Sequence, residues 1–174
     1  MSSPNDNMAG TNDDSAKIYS PTILTVNVCG LRTSWPDFSH HILSTRPLAA
    51  LVVETLISHD VINTKYKING YRWVACTDSP RGVAILLANQ ISYKHIIRSI
   101  DCIFLKLTIR NLSFSLLGGY QSPNRENGVL SNMAEILHNY QISNPHDDLL
   151  TLGDFNARHR SWDTKTNKRG RLLF

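Results

Sequence analysis

Six short apolar runs constrain this chain more than anything else in it: 23-ILTVNV-28, 48-LAALVVE-54, 82-GVAILLA-88, 103-IFLKLTIR-110, 112-LSFSLLGGY-120 and 148-DLLTLGD-154. They are too short for buried helices, are rich in β-branched residues and are bounded by turn formers, so they read as strands. Several are apolar at consecutive positions, which requires burial on both faces. A sheet of that kind needs a second layer on each side.

The connections narrow the choice. The run 71-YRWVAC-76 is joined to 82-GVAILLA-88 by a turn containing Asp, Ser, Pro, Arg and Gly, the signature of a hairpin. The alternating 103-IFLKLTIR-110 meets 112-LSFSLLGGY-120 across a minimal corner, so these two are expected to be antiparallel neighbours. Helical spacing occurs in 36-PDFSHHILSTR-46 and in 129-VLSNMAEILHNYQI-142, each followed by a buried run. The expected fold is an α/β sandwich of two mixed, largely antiparallel sheets with outer helices.

With 174 residues and 41% hydrophobic content, the chain can bury one ordinary core, so a single domain over 21–174 is expected. Residues 1–20, MSSPNDNMAGTNDDSAKIYS, hold almost no large apolar side chains and are expected to form a disordered tail. The three cysteines are far apart and lack CxxC spacing, which points to neither a disulfide framework nor a zinc site. No run approaches the roughly 20 apolar residues of a membrane span, and no signal pattern opens the chain; an intracellular, reduced protein is expected. The net charge of +4 and pI near 9.1 suit a polyanionic partner.

Most of the fourteen acidic residues fall in polar segments, where solvation explains them. Glu54 and Asp154 instead end apolar runs, at the C-terminal edge of a strand, where open α/β sheets bind ligands. Asn27 interrupts 23-ILTVNV-28, and an amide buried in a strand must find partners. Asn156 follows Asp154 by two positions and points the same way if the chain stays extended. Each of the four can be a cap or turn partner; together, two carboxylates and two amides are the inventory that holds Mg²⁺ against a phosphate. Tyr120 closes its own strand, either as a core aromatic with its hydroxyl at the rim or as a phenol that donates to a phosphate oxygen or transfers a proton.

In order, 23-ILTVNVCGLR-32, 50-ALVVETLIS-58, 82-GVAILL-87, 117-LGGYQSPN-124 and 152-LGDFNARHRSWD-163 resemble the motifs of the endonuclease/exonuclease/phosphatase superfamily. The stretch 167-NKRGRLL-173 is similar to the endonuclease domain of insect-type non-LTR retrotransposons. The resemblance implies Mg²⁺-dependent phosphodiester hydrolysis, with Mn²⁺ as the substitute ion, on DNA. Glu54 would hold the metal and Asn27 would organise the metal and phosphate site. Tyr120 would be the active-site tyrosine, Asp154 would orient or deprotonate the attacking water, and Asn156 would contact the scissile phosphate. It also implies, for the whole element's protein, a reverse transcriptase domain as partner and a nuclear site of action.

Arg158, Arg160, Lys165, Lys168, Arg169 and Arg171 crowd behind the GDFN motif with one acid, Asp163, and with Trp162 among them. They are either a solvated loop or contacts to the DNA backbone, the latter with Arg158, Arg160, Lys168 and Arg169 as nucleic-acid-binding residues. A phosphoesterase acting on small or lipid phosphates can use the same core motifs, and this basic run argues against it.

Two departures from the family pattern bear on activity. Cys29 in 27-NVCG-30 stands where relatives carry a polar residue. The family's further Asp and its Ser-Asp-His motif do not occur before Phe174, and none of the seven histidines stands in that context; His59 reads as a loop histidine rather than as the base. The expectation is therefore a domain lacking its last strands and impaired or inactive as this fragment. The alternative is a catalytically dead retroelement remnant that at most binds nucleic acid.

Overall fold

Strands buried on both faces need cover on both sides, and the chain supplies it in four layers. The computed structural model describes residues 19–76, 81–99, 101–123, 128–161 and 163–168. Strand β1 (Ser20–Asn27) runs parallel to β2 (Pro47–Val53), with helix α1 (Leu31–Thr45) crossing between them. The short helix α2 (His59–Lys65) precedes β3 (Tyr71–Ala75), which pairs antiparallel with β4 (Val83–Ala88), giving a first sheet of order β1-β2-β4-β3. Strands β5 (Ser92–Ser99), β6 (Cys102–Ile109) and β7 (Leu112–Tyr120) form an antiparallel meander. Helix α3 (Gly128–Ser143) then returns the chain to β8 (Leu149–Asp154), parallel to β7, and the second sheet has the order β5-β6-β7-β8.

Leu51, Val53, Ile85 and Leu87 of the first sheet meet Ile103, Leu105, Leu107 and Leu116 of the second. On the outer face of the first sheet, Leu31, Phe38 and Ile42 of α1 cover Ala50, Val52 and Leu86; on that of the second, Met133 and Ile136 of α3 cover Phe104 and Leu117. Alternate residues of β2 thus serve two different cores, which is why 48-LAALVV-53 carries no polar residue. Each Leu, Ile, Val, Phe or Met among them contributes roughly 1.5–3 kcal/mol when fully buried, and the alanines less.

The expected α/β sandwich is the observed one. Differences lie in particular elements. Of the tail expected over 1–20, only Tyr19 and Ser20 fall within the described residues: Ser20 opens β1 and donates its N–H to Arg46 O (2.8 Å), while the Tyr19 ring meets Tyr71 edge-on. Helix α1 begins at Leu31, not at Pro36, because Leu31 is fully buried and its N–H is bonded to Thr55 O (2.9 Å), which fixes the helix start from outside the helix. Pro36 therefore lies inside the helix and lacks the N–H that would bond one turn back. Among the described residues, no helix is long and apolar enough to cross a membrane.

Each sheet ends in a parallel pair joined through a helix, and in each pair the outer strand, β1 or β8, is an edge. Hydrogen bonds between the two sheets bring the C-terminal ends of these four strands to one rim of the sandwich. Parallel strand ends are where a chain of this class has polar backbone and turn residues free to build a site.

Candidate active site

Asn27 ends β1 in register with Val53 of β2. Its carbonyl Oδ1 accepts the Cys29 N–H (3.0 Å) and the Cys29 thiol (3.3 Å), and its Nδ2 donates across the sandwich to Asp154 Oδ2 (3.0 Å). The turn that follows is bonded to the one leaving β2: Gly30 N–H donates to Glu54 O (2.8 Å) and Val28 N–H to Val53 O (3.1 Å). Cys29, standing where a polar residue was expected, thus serves as a support for Asn27.

Glu54 leaves β2 with a left-handed backbone (φ 54°), and Leu56 repeats it (φ 52°). The segment is held from the other side by Thr55 N–H donating to Gly82 O (3.1 Å) and Leu56 N–H to Arg81 O (3.2 Å). Tyr120, fully buried at the end of β7, donates its hydroxyl to Glu54 Oε1. Of the seven non-glycine residues with positive φ among those described, Cys29, Glu54, Leu56 and Asn156 lie at this rim. Such conformations cost of order 1–3 kcal/mol each and persist only where the surroundings impose them.

Asp154 ends β8, directly opposite Tyr120 in the strand register. Its Oδ1 accepts the Asn156 N–H (3.2 Å), so the carboxylate is fixed by an amide at each oxygen. It opens onto a cleft of about 480 Å³ lined by Thr25, Asn27, Gly153, Asp154, Asn156 and Ala157. Gly153 is required by close approach: a Cβ there would stand 2.2 Å from the Phe155 ring and 2.6 Å from Gly119 O. The chain does not stay extended after Asp154. Asn156 is left-handed (φ 48°) and turns its Nδ2 back to Gln121 O (3.0 Å), so it grips the end of β7 instead of pointing alongside Asp154.

Burial first, and then the hydrogen bond to the Glu54 carboxylate, push the Tyr120 phenol up to about 12; Arg81 opposes the rise and Asp154 adds to it. The phenol is therefore a donor at neutral pH, not a base. Burial also raises the Cys102 thiol to about 12 and, with Tyr19, the Tyr71 phenol to about 12. The folded chain holds these protons more tightly than the unfolded one, whose groups titrate from about pH 9 for Cys and 10 for Tyr. Stability from this source is complete below about pH 9 and is lost as the pH rises towards 12. The melting temperature, followed by circular dichroism, is expected to fall steeply over that interval, and a flat profile would refute the assignment.

The basic side chains follow Ala157, the last residue of the cleft lining, along the chain. Arg158, Arg160, Lys165 and Lys168 are exposed, while Arg169 and Trp162 lie outside the described residues. Arg158 Nε approaches Asp163 Oδ2 at 3.6 Å. His59, at the start of α2, is paired with Asp60 through Nδ1 (3.2 Å), and His159 Nδ1 bonds to Ser161 (3.0 Å).

Three further contributors have little or no signature in the sequence. Gln121, fully buried, receives Asn156 on its carbonyl, donates its N–H to Asp154 O (2.9 Å) and accepts the Val129 N–H on its side chain (3.2 Å). Arg81 reaches the field of the Tyr120 hydroxyl from a turn. Asn167 binds Asn156 and Arg158. A polar residue next to Tyr120 is the only signal for Gln121; Asn167 opens the stretch 167-NKRGRLL-173, and Arg81 has no signal.

Among the described residues, no group of three or more His, Cys, Asp and Glu side chains surrounds a common point. Mg²⁺ is commonly held by one or two carboxylates, with waters and substrate phosphate completing the shell. The Glu54 carboxylate, with one oxygen engaged by Tyr120, fits that type of site and not a dehydrated protein cage.

The two facing four-stranded sheets with outer helices match the fold of solved endonuclease/exonuclease/phosphatase structures. The chain is similar to the endonuclease domain of TRAS1, a telomere-specific non-LTR retrotransposon, with 17% identity, 87% of this chain and 66% of that one covered, and a TM-score of 0.68. It is also similar to an endonuclease/exonuclease/phosphatase family protein from Bacteroides thetaiotaomicron (12% identity, 83% and 67% covered, TM-score 0.62) and to TDP2 from C. elegans (17%, 84% and 50%, TM-score 0.61). The chain thus spans about two thirds of the TRAS1 domain and half of the TDP2 chain. No family model and no curated protein matches the sequence.

Proposed function

We propose that this chain carries the phosphodiester-cleaving site of a DNA endonuclease domain from a non-LTR retroelement, dependent on Mg²⁺ and impaired in activity, since no Ser-Asp-His motif occurs in the sequence. The observation that carries the reading is the pair of bonds between the sheets, Asn27 to Asp154 and Tyr120 to Glu54, which assemble two carboxylates, an amide and a neutral phenol from four strands. The likeness to the TRAS1 endonuclease domain supports the element class.

Glu54 would hold the ion, which when bound would polarise the phosphate and stabilise the leaving oxygen. Asp154, fixed at both oxygens, orients the attacking water and draws its proton. Asn27 sets the Asp154 carboxylate in place through Nδ2. The Tyr120 hydroxyl holds Glu54 and offers its proton to a phosphate oxygen when substrate displaces that bond. Asn156 shapes the floor of the cleft beside the phosphate. A reverse transcriptase domain of the same element is the expected partner, and the nucleus the site of action.

Plasmid nicking in Mg²⁺ that Asp154→Ala abolishes supports this reading. Salt-sensitive DNA binding without nicking overturns it in favour of a remnant that only binds nucleic acid. For the basic flank, the double variant Arg158→Ala, Arg160→Ala is expected to lower the slope of log K against log salt by about 2, nearly one unit per lost phosphate contact. An unchanged slope in a salt titration of duplex binding would assign both side chains to a solvated loop.

A further inference from the structure

The segment behind Asp154 is more ordered than a run of charges needs to be, and its order converges on one side chain. Asn167 uses its carboxamide twice: Nδ2 donates to Asn156 O (2.9 Å), and Oδ1 accepts the Arg158 N–H (3.0 Å). Its own backbone N–H donates to Arg158 O (2.8 Å). Asn167 thus returns to within hydrogen-bond distance of Asn156, 11 positions earlier, and ties the two ends of this segment together. Inside it, Asp163 N–H donates to His159 O (2.7 Å) and Arg160 N–H to Thr166 Oγ1 (3.1 Å). Burial pushes the Asp163 carboxyl up, but the N–H and hydroxyl of Thr164, the Lys165 N–H and the Arg158 guanidinium outweigh it and hold the group below its ordinary value.

We infer that Asn167 is a positioning residue that locks this loop to Asn156, so that Arg158, which follows the cleft-lining Ala157, stands preset with Arg160 and Lys165 of the same loop as a phosphate-backbone reader. The inference rests on the nucleic-acid reading above. Its physical content is preorganisation: a loop already held in shape loses less conformational freedom on binding a polyanion, and a cation fixed next to the cleft sets where the strand lies over Asp154. The role demands a donor and an acceptor on one short planar group. Aspartate keeps the acceptor for Arg158 but places an oxygen against the Asn156 carbonyl; alanine loses both bonds.

The test compares Asn167→Asp and Asn167→Ala with Lys168→Ala, a neighbouring exposed cation that makes none of these bonds. Each full chain is checked for folding by circular dichroism. Three readouts follow: trypsin cleavage after Arg158, Arg160 and Lys165 mapped by fragment mass, the salt slope of duplex binding, and plasmid nicking in Mg²⁺. For Asn167→Asp we expect cleavage within the loop to accelerate about tenfold, since one lost hydrogen bond shifts the open population by about that factor. The salt slope should fall by at least one unit, and kcat should fall more than KM rises. Lys168→Ala should lower the slope by about one unit without exposing the loop to trypsin. If both Asn167 variants, folded, match the wild type in loop cleavage and salt slope, the inference is overturned. If the wild type binds DNA without nicking, the catalytic reading fails while the loop result still decides this one.

Discussion

Asp154→Ala is expected to lower Mg²⁺-dependent nicking by about 10²- to 10⁴-fold, the range for loss of a group that orients and deprotonates a nucleophile. The melting temperature should change by only a few degrees. The carboxylate satisfies two donors, Asn27 Nδ2 and the Asn156 N–H, and both border an open cleft where water can replace it. Stability and activity therefore separate at this residue. Asp154→Asn sharpens the measurement, because a carboxamide has one acceptor oxygen where the carboxylate has two, so one of the two amide contacts must be lost. Nicking retained within about threefold in either variant would remove Asp154 from the reaction.

Gly82→Ala is expected to damage fold and site together. Gly82 has φ +74°, and a Cβ placed there would lie 1.9 Å from Thr55 Oγ1 and 3.1 Å from Leu56 N. Thr55 is 1% exposed, so its side chain has nowhere to withdraw. Backbone strain and overpacking together cost about 2–5 kcal/mol, or roughly 4–20 °C in Tm for a chain of this size. Relief can come only by moving the 54–56 segment, which the Thr55 N–H bond to Gly82 O holds in place. The Mg²⁺ concentration giving half-maximal nicking should rise accordingly. Gly128→Ala is the control, since a Cβ at that position meets nothing within 4 Å. A Gly82→Ala chain melting within about 2 °C of the wild type would mean that the turn yields without disturbing Glu54.

How much could be read beforehand varies with the element, and for physical reasons. The β6–β7 hairpin was legible because its alternation and its two-residue corner are both local. The neighbouring β5 was not: 92-SYKHIIRS-99 carries charged residues and a register irregularity near His95, as suits an edge strand that must discourage further pairing. Helix α2 spans only seven residues, too few for a periodic signal. The start of α1 depends on a bond from Thr55, and Pro36, a plausible first residue, gave the wrong boundary.

At the site, the sequence by itself determined which residues end or interrupt apolar runs, because burial writes itself into composition one strand at a time: Glu54, Tyr120 and Asp154 follow as run ends and Asn27 as an amide within a run. Only the tertiary structure decided that they share a rim. Asn27 and Asp154 are 127 positions apart, and Glu54 and Tyr120 are 66 apart, distances at which no period connects them. The same holds for Asn156, whose direction is set by a left-handed turn and by Gln121 and Asn167, and not by the strand that precedes it. Hydrophobic patterning is a local property of the chain; hydrogen-bond complementarity between two sheets exists only once they have packed.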